Sequence, residues 1–164
     1  MIRAKANISD DLRRAGVFQT TGPNSIYRKA GSQLRDKVIS EFKDLVIETP
    51  QWTGTTAASW EIGFSGDITG SVEEQPERTK EQALQRGSQP ACDIAIANAE
   101  RSFTESDLRH YAKEDLLVSN TAPGYDTAEE GPVRQVNTPP GALKRFESRI
   151  AALDFEVDFY KVGK

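Results

Sequence analysis

From Ser25 onward, apolar residues return every three or four positions: Ile26, Ala30, Leu34, Val38, Phe42 and Leu45. Arg28, Lys29, Arg35, Asp36, Lys37, Glu41 and Lys43 fall between them. That spacing lays the apolar set along one stripe of an α-helix and sends the charges elsewhere, with Arg35 and Lys37 on the opposite face. Asn24 or Ser25 can cap its start. Pro50 stops it, because the residue before a proline is pushed out of helical conformation. The pattern predicts a helix of about five to six turns whose stripe covers a sheet.

The period then changes to two. Pro50 and Gly54 bracket a polar turn, after which Ala58, Trp60, Ile62 and Phe64 alternate with Ser59, Glu61 and Gly63. Further on, Leu116 and Val118 alternate with Leu117 and Ser119 until Asn120 and Pro123-Gly124 break the run. Both read as half-buried strands that pair and cover the helix. Gly63, Gly66 and Gly70 punctuate a hairpin-like region in which Ile68 and Val72 can form another strand. Glu73–Gln89 is dominated by charge and glutamine and reads as an exposed helix or a long loop. For Ala91–Ala99 a helix with Pro90 in its first turn is favoured. Ile94 and Ile96 also alternate, so a strand stays open over 90–103. Thr138-Pro139-Pro140-Gly141 opens a helix in which Leu143, Phe146, Ile150 and Leu153 share a face. From Asp154 to Tyr160, Phe155, Val157 and Phe159 alternate with Asp154, Glu156 and Asp158. That favours an edge strand, although Leu153, Val157 and Tyr160 would equally continue the helix.

The fold class this describes is α+β: a small antiparallel β-sheet packed against a long N-terminal helix and a C-terminal helix. Residues 1–24 read as an extended arm, with room for a short helical turn at Ser9–Arg14. Residues 25–153 form a single domain with a polar insertion at about 73–109, and residues 154–164 form a tail. With 164 residues the chain can bury a real core. A net charge of −4, with both signs mixed along the sequence, lacks the basic excess of a nucleic-acid surface. No apolar run approaches the roughly 20 residues that span a bilayer.

Candidate chemistry is sparse. His110 is the single histidine and Cys92 the single cysteine, so neither a paired-histidine mechanism nor an intramolecular disulfide is open to one chain. Cys92 and His110 could pair as nucleophile and base. The alanine-rich surroundings of Cys92 favour an inert buried thiol instead. Asp10-Asp11, Glu73-Glu74 and Glu129-Glu130 are adjacent carboxylates, which diverge on a helix and point to opposite sides of a strand. The phosphate-binding loops Gly-x-x-x-x-Gly-Lys and Gly-x-Gly-x-x-Gly do not occur, and no cofactor or metal site is expected. Trp60 reads as core. Trp52 stands in the polar turn, as a lid on the helix end or as an anchor between subunits.

The elements in order carry a resemblance. A helix leads into Thr49-Pro50-x-x-Thr53-Gly54 and a strand with Ser59-Trp60. A later strand ends in Ser119-Asn120-x-x-Pro123-Gly124-Tyr125, followed by Glu129-Glu130-Gly131 and the helix start Pro139-Pro140-Gly141. From Ile26 to near Leu153 this resembles the tail-completion or neck (head-tail connector) proteins of tailed bacteriophages. The resemblance implies a virion structural protein, not an enzyme, that works by subunit association. It implies a homo-oligomeric ring of about six or twelve copies. Its neighbours would be the portal or connector and the tail-tube or tail-terminator proteins, with no membrane and no sequence-specific nucleic acid. Assembly would take place in the host cytoplasm and end in the virion neck or tail. Candidate subunit or partner contacts are Trp52, Pro123, Tyr125, Phe155, Val157 and Phe159. Two other classes compete: a small cytoplasmic enzyme or toxin using His110, Cys92 and a carboxylate, and a monomeric adaptor that takes a peptide at a sheet edge.

Overall fold

Helix α1 spans Ile26–Glu48 in the computed structural model, which describes residues 25–51, 53–84, 87, 89–123, 125 and 141–153. Its cap is Ser25, whose hydroxyl accepts from the Arg28 N–H at 3.3 Å. That satisfies one of the donors a first turn leaves unpaired. The helix stops at Thr49, which turns extended just before Pro50. Every residue of the predicted stripe is buried, and Gly31, Ile39 and Val46 join it.

The chain then makes a helical turn, α2 (Thr55–Ala58), and strand β1 (Trp60–Phe64). A long irregular stretch with one 3-10 turn at Lys80–Gln82 leads to α3 (Gln89–Ser102). A short α4 (Leu108–Tyr111), strand β2 (Leu116–Asn120) and α5 (Ala142–Ala151) complete the described elements. The two strands pair antiparallel, Trp60 opposite Asn120 and Phe64 opposite Leu116. Trp60, Ile62 and Phe64 of β1 enter one core with Leu34, Val38, Phe42 and Leu45 of α1. The α+β class read from the sequence is thus the observed one, with α5 packed along α1.

Several local expectations are corrected. Ala58 ends the helical turn and is not a strand residue; with Ala57, Ala91 and partly buried Leu84 and Ile94 it forms a small satellite core. Ile68 and Val72 lie in irregular chain. Side chains hold this segment instead of a ladder: Glu61 accepts from the Thr69 hydroxyl and the Gly70 N–H, and Ser59 Oγ from the Glu73 N–H. Residues 90–102 are helix, the favoured of the two readings. Ala91, Ala95 and Ala99 share a buried face that runs on to Phe103, and these small side chains let α3 approach α1 and α2 closely. The stretch read as part of a polar insertion therefore contributes to the core. Arg35 is not an idle outer charge either. Its Nε donates to the Phe103 carbonyl at 2.6 Å and its Nη2 to the Glu100 carbonyl at 3.4 Å. These bonds satisfy carbonyls at the C-terminus of α3. The arm 1–24 and the tail 154–164 lie outside the described residues.

Helix α5 shows the predicted amphipathicity, with Phe146 buried and Leu143 and Ile150 packed against the core. Ion pairs fix it to α1. Arg145 Nε lies 2.7 Å from Glu48, and Arg149 reaches Glu41 at 2.6 Å and Glu48 at 3.1 Å. Burial raises the Glu48 pKa, but hydrogen bonding and charge attraction from the two arginines outweigh it and hold the carboxyl below its ordinary value.

Gly31 marks a close approach between α1 and the loop ahead of α4. A Cβ there would sit 2.0 Å from the Ser106 carbonyl oxygen and 2.6 Å from the Leu108 nitrogen. Helix propensity alone would make Gly31→Ala stabilising by about 1 kcal/mol. The backbone clash dominates, so chemical denaturation should show a net loss of about 1–3 kcal/mol. A variant as stable as the parent would mean that the 103–107 loop yields without cost.

Candidate functional site

The two segments that carried the resemblance meet in space. Their meeting is organised by Trp60, which is 2% exposed. A buried indole N–H needs an acceptor. It donates to Thr49 Oγ1 at 2.8 Å, and the Thr49 hydroxyl donates in turn to the Leu45 carbonyl at 2.8 Å. Thr49 therefore closes α1 and fixes β1 through one hydroxyl group. On the other side, the Tyr125 ring stands edge-on to Trp60, centroids 5.6 Å apart and planes at 84°. That is a favourable aromatic geometry.

Asn120 completes the junction. Its Nδ2 donates to the Thr56 carbonyl of α2 at 2.7 Å, and its Oδ1 accepts from the Ala122 N–H at 3.0 Å. The second bond is an Asx turn, which sets the direction of the chain after β2. Ahead of α2, Thr53 Oγ1 accepts from the Thr55 N–H at 3.2 Å. Gly54 adopts φ 99°, and a Cβ on it would lie 2.7 Å from the Ala91 Cβ, so this turn seats directly on α3. The Thr-Pro-x-x-Thr-Gly and Ser-Asn-x-x-Pro-Gly-Tyr segments are thus one structural unit.

Of the candidate contact residues, Pro123 is exposed on the turn after β2, while Tyr125 is half-buried and committed to Trp60. Trp52, Phe155, Val157 and Phe159 lie outside the described residues. Sequence reasoning missed Thr49 and Asn120 as the joints. The Asn120 signal was available, since asparagine at a strand end ahead of a turn commonly bonds its own backbone two residues on. The Thr49 hydroxyl had no such signal.

The groups named for the competing enzyme reading have separate surroundings. Cys92 is 1% exposed; Gln51 Nε2 donates to its sulfur at 3.3 Å, and the thiol points to the Val46 carbonyl at 3.9 Å. Burial pushes this thiol up from its ordinary pKa, against the Gln51 hydrogen bond. His110 packs edge-on against Phe64 at 4.4 Å, with Glu105 and Glu114 at 4.0 and 3.6 Å from its two nitrogens. Nearby, Asp107 caps α4, and its hydrogen bonds with the Arg109 guanidinium hold its carboxyl down to about 2. Among the described residues there is no cluster of three or more His, Cys, Asp or Glu suited to a metal ion. No helix among them is long and apolar enough to cross a membrane. Comparison with protein-family models, with curated proteins and with solved structures found no match to this chain.

Thr49→Val keeps the shape of the side chain but removes the acceptor of the Trp60 N–H. Leaving that donor buried and unpaired should cost about 1–3 kcal/mol in denaturant titration. Thr49→Ser, which keeps the hydroxyl, should lose clearly less; equal losses would mean the methyl group, not the hydrogen bond, matters there.

Cys92 should resist alkylation in the native protein and react at the rate of unfolding, because its thiolate is disfavoured by burial. Rapid labelling of the folded chain by iodoacetamide would reverse this assignment and revive Cys92 as a nucleophile.

Proposed function

We propose that the chain is a virion structural protein of a tailed bacteriophage, forming a ring in the neck that joins head to tail or completes the tail. The observation that supports this reading is the junction itself. The segments whose order resembles the neck proteins are bonded to each other through Asn120 and Thr56 and through Trp60 and Tyr125. The mechanism on this reading is subunit association. The rigid junction of α1, β1 and β2 holds the turn bearing Pro123 at the surface, where a neighbouring copy or the portal can meet it. The portal or connector on one side and a tail-tube or tail-terminator protein on the other are the partners this reading requires. Cys92 and His110 engage different neighbours, which favours association over the competing enzyme reading.

Light scattering on a size-exclusion column, followed by electron microscopy, tests the proposal. The expected result is closed rings of uniform diameter, either from the protein alone or on filled heads prepared without it. Protein that stays monomeric at high concentration and leaves such heads undecorated would sink the reading.

A further inference from the structure

Helix α5 is attached by side chains. Among the described residues no backbone hydrogen bond passes from it to another element; those at its ends, from the Arg145 N–H to the Gly141 carbonyl and from the Ala152 N–H to the Ser148 carbonyl, are local. The helix has 10 residues. An isolated helix shorter than about 12–15 residues is marginal in water, so α5 keeps its form only while it is docked. Its docked face is narrow. Ala142 and Phe146 are buried, Leu143 and Ile150 are half-buried, and Lys144, Glu147, Ser148 and Ala151 are exposed.

Charge completes the attachment. Glu41 and Glu48 stand about two turns apart on one face of α1, and Arg145 and Arg149 about one turn apart on α5. Glu48 accepts from Arg145 Nε at 2.7 Å and from Arg149 Nη1 at 3.1 Å, and Glu41 accepts from Arg149 Nε at 2.6 Å. Among the described residues these two arginines are the charged groups that face Glu48, and Glu41 is the acid that shares Arg149 with it. The fit is incomplete, because Arg149 Nη2 is buried with no acceptor among the described residues. A buried donor left unpaired works against docking. A small apolar face thus stands against an unpaired donor, and the ion pairs tip the balance.

We propose that α5 is a latch on α1, closed by the charge of Glu48 and opened by acid while the rest of the core stays in place. Burial raises the Glu48 pKa, yet the hydrogen bonds and charges of Arg145 and Arg149 keep it below the ordinary 4.5. The charged attachment is therefore whole above about pH 4.5 and is lost as the pH falls through the lower docked value. Both arginines keep their charge there and lose an acceptor. Opening uncovers Phe146 and the α1 face that carries Glu41 and Glu48. The inference concerns α5 and does not depend on the neck reading.

Amide hydrogen-exchange protection, measured residue by residue on the full chain, tests it. At neutral pH the Phe146, Arg149 and Ile150 amides should be protected, but less than those of Val38 and Phe42 in α1. Between neutral pH and about pH 3 the α5 protection should fall while that of α1 and β1 holds. Glu48→Gln removes two ion pairs, and pairs of ordinary strength correspond to an α5 protection lower by about threefold to thirtyfold at neutral pH. Its further fall in acid should be shallower than the parent's. Lys43→Gln, which breaks the α1 ion pair with Glu100 of α3, should leave α5 unchanged. Equal α5 protection in the parent and Glu48→Gln would overturn the proposal. So would α5 amides already unprotected at neutral pH, or an acid loss that reaches α1 and β1 at the same pH.

Discussion

The junction of helix α1 with the two strands depends on the buried Trp60 indole. An indole is a large apolar body with one donor that cannot be left unpaired away from water. The chain meets both demands at one place: the ring lies in the core with Phe42 and Leu45, and the N–H reaches the Thr49 hydroxyl that ends α1. Because that hydroxyl also bonds the Leu45 carbonyl, the end of the helix and the start of the strand cannot move independently. Strand β2 follows by register, since Asn120 lies opposite Trp60, and the loop beyond follows through the Asx turn.

Around this joint the chain achieves close approach by using small residues. Gly31 lets the 103–107 loop press on α1, and Gly54 lets the α2 turn press on Ala91. Helix α3 offers alanines to its neighbours and is then locked at its C-terminus by Arg35. Helix α5 is attached differently, by Phe146 and by two arginines sharing Glu48. These ion pairs are partly exposed, so they orient α5 more than they stabilise it; such pairs typically contribute about 1 kcal/mol or less.

On the proposed reading of the chain as a subunit that works by association, this division has consequences. The joint is rigid and internal, whereas the turn bearing Pro123 and the open edge of β1 lie at its margins. A two-stranded sheet has two edges, and an edge left open invites pairing unless something covers it.

The sequence by itself determined the elements whose apolar residues repeat clearly. The α1 stripe, the alternation from Trp60 to Phe64, the Leu116–Asn120 strand and the Phe146 face of α5 follow from period, as does the α+β class, and the Thr49-Pro50 stop follows from the proline. Helix α3 was legible as one of two options, because its buried face is alanine and the two isoleucines beside that face mimic a strand. The tertiary structure decided the rest. That Ala58 turns instead of extending depends on its contact with α3, and Ile68 and Val72 stay out of a ladder because Glu61 and Ser59 bind that segment through side chains. That Arg35 caps a helix 65 residues further along, that Thr49 receives the Trp60 N–H and that Asn120 reaches Thr56 are facts of long-range geometry. A polar side chain carries no periodicity, so its partner is known only once packing has brought distant parts of the chain together.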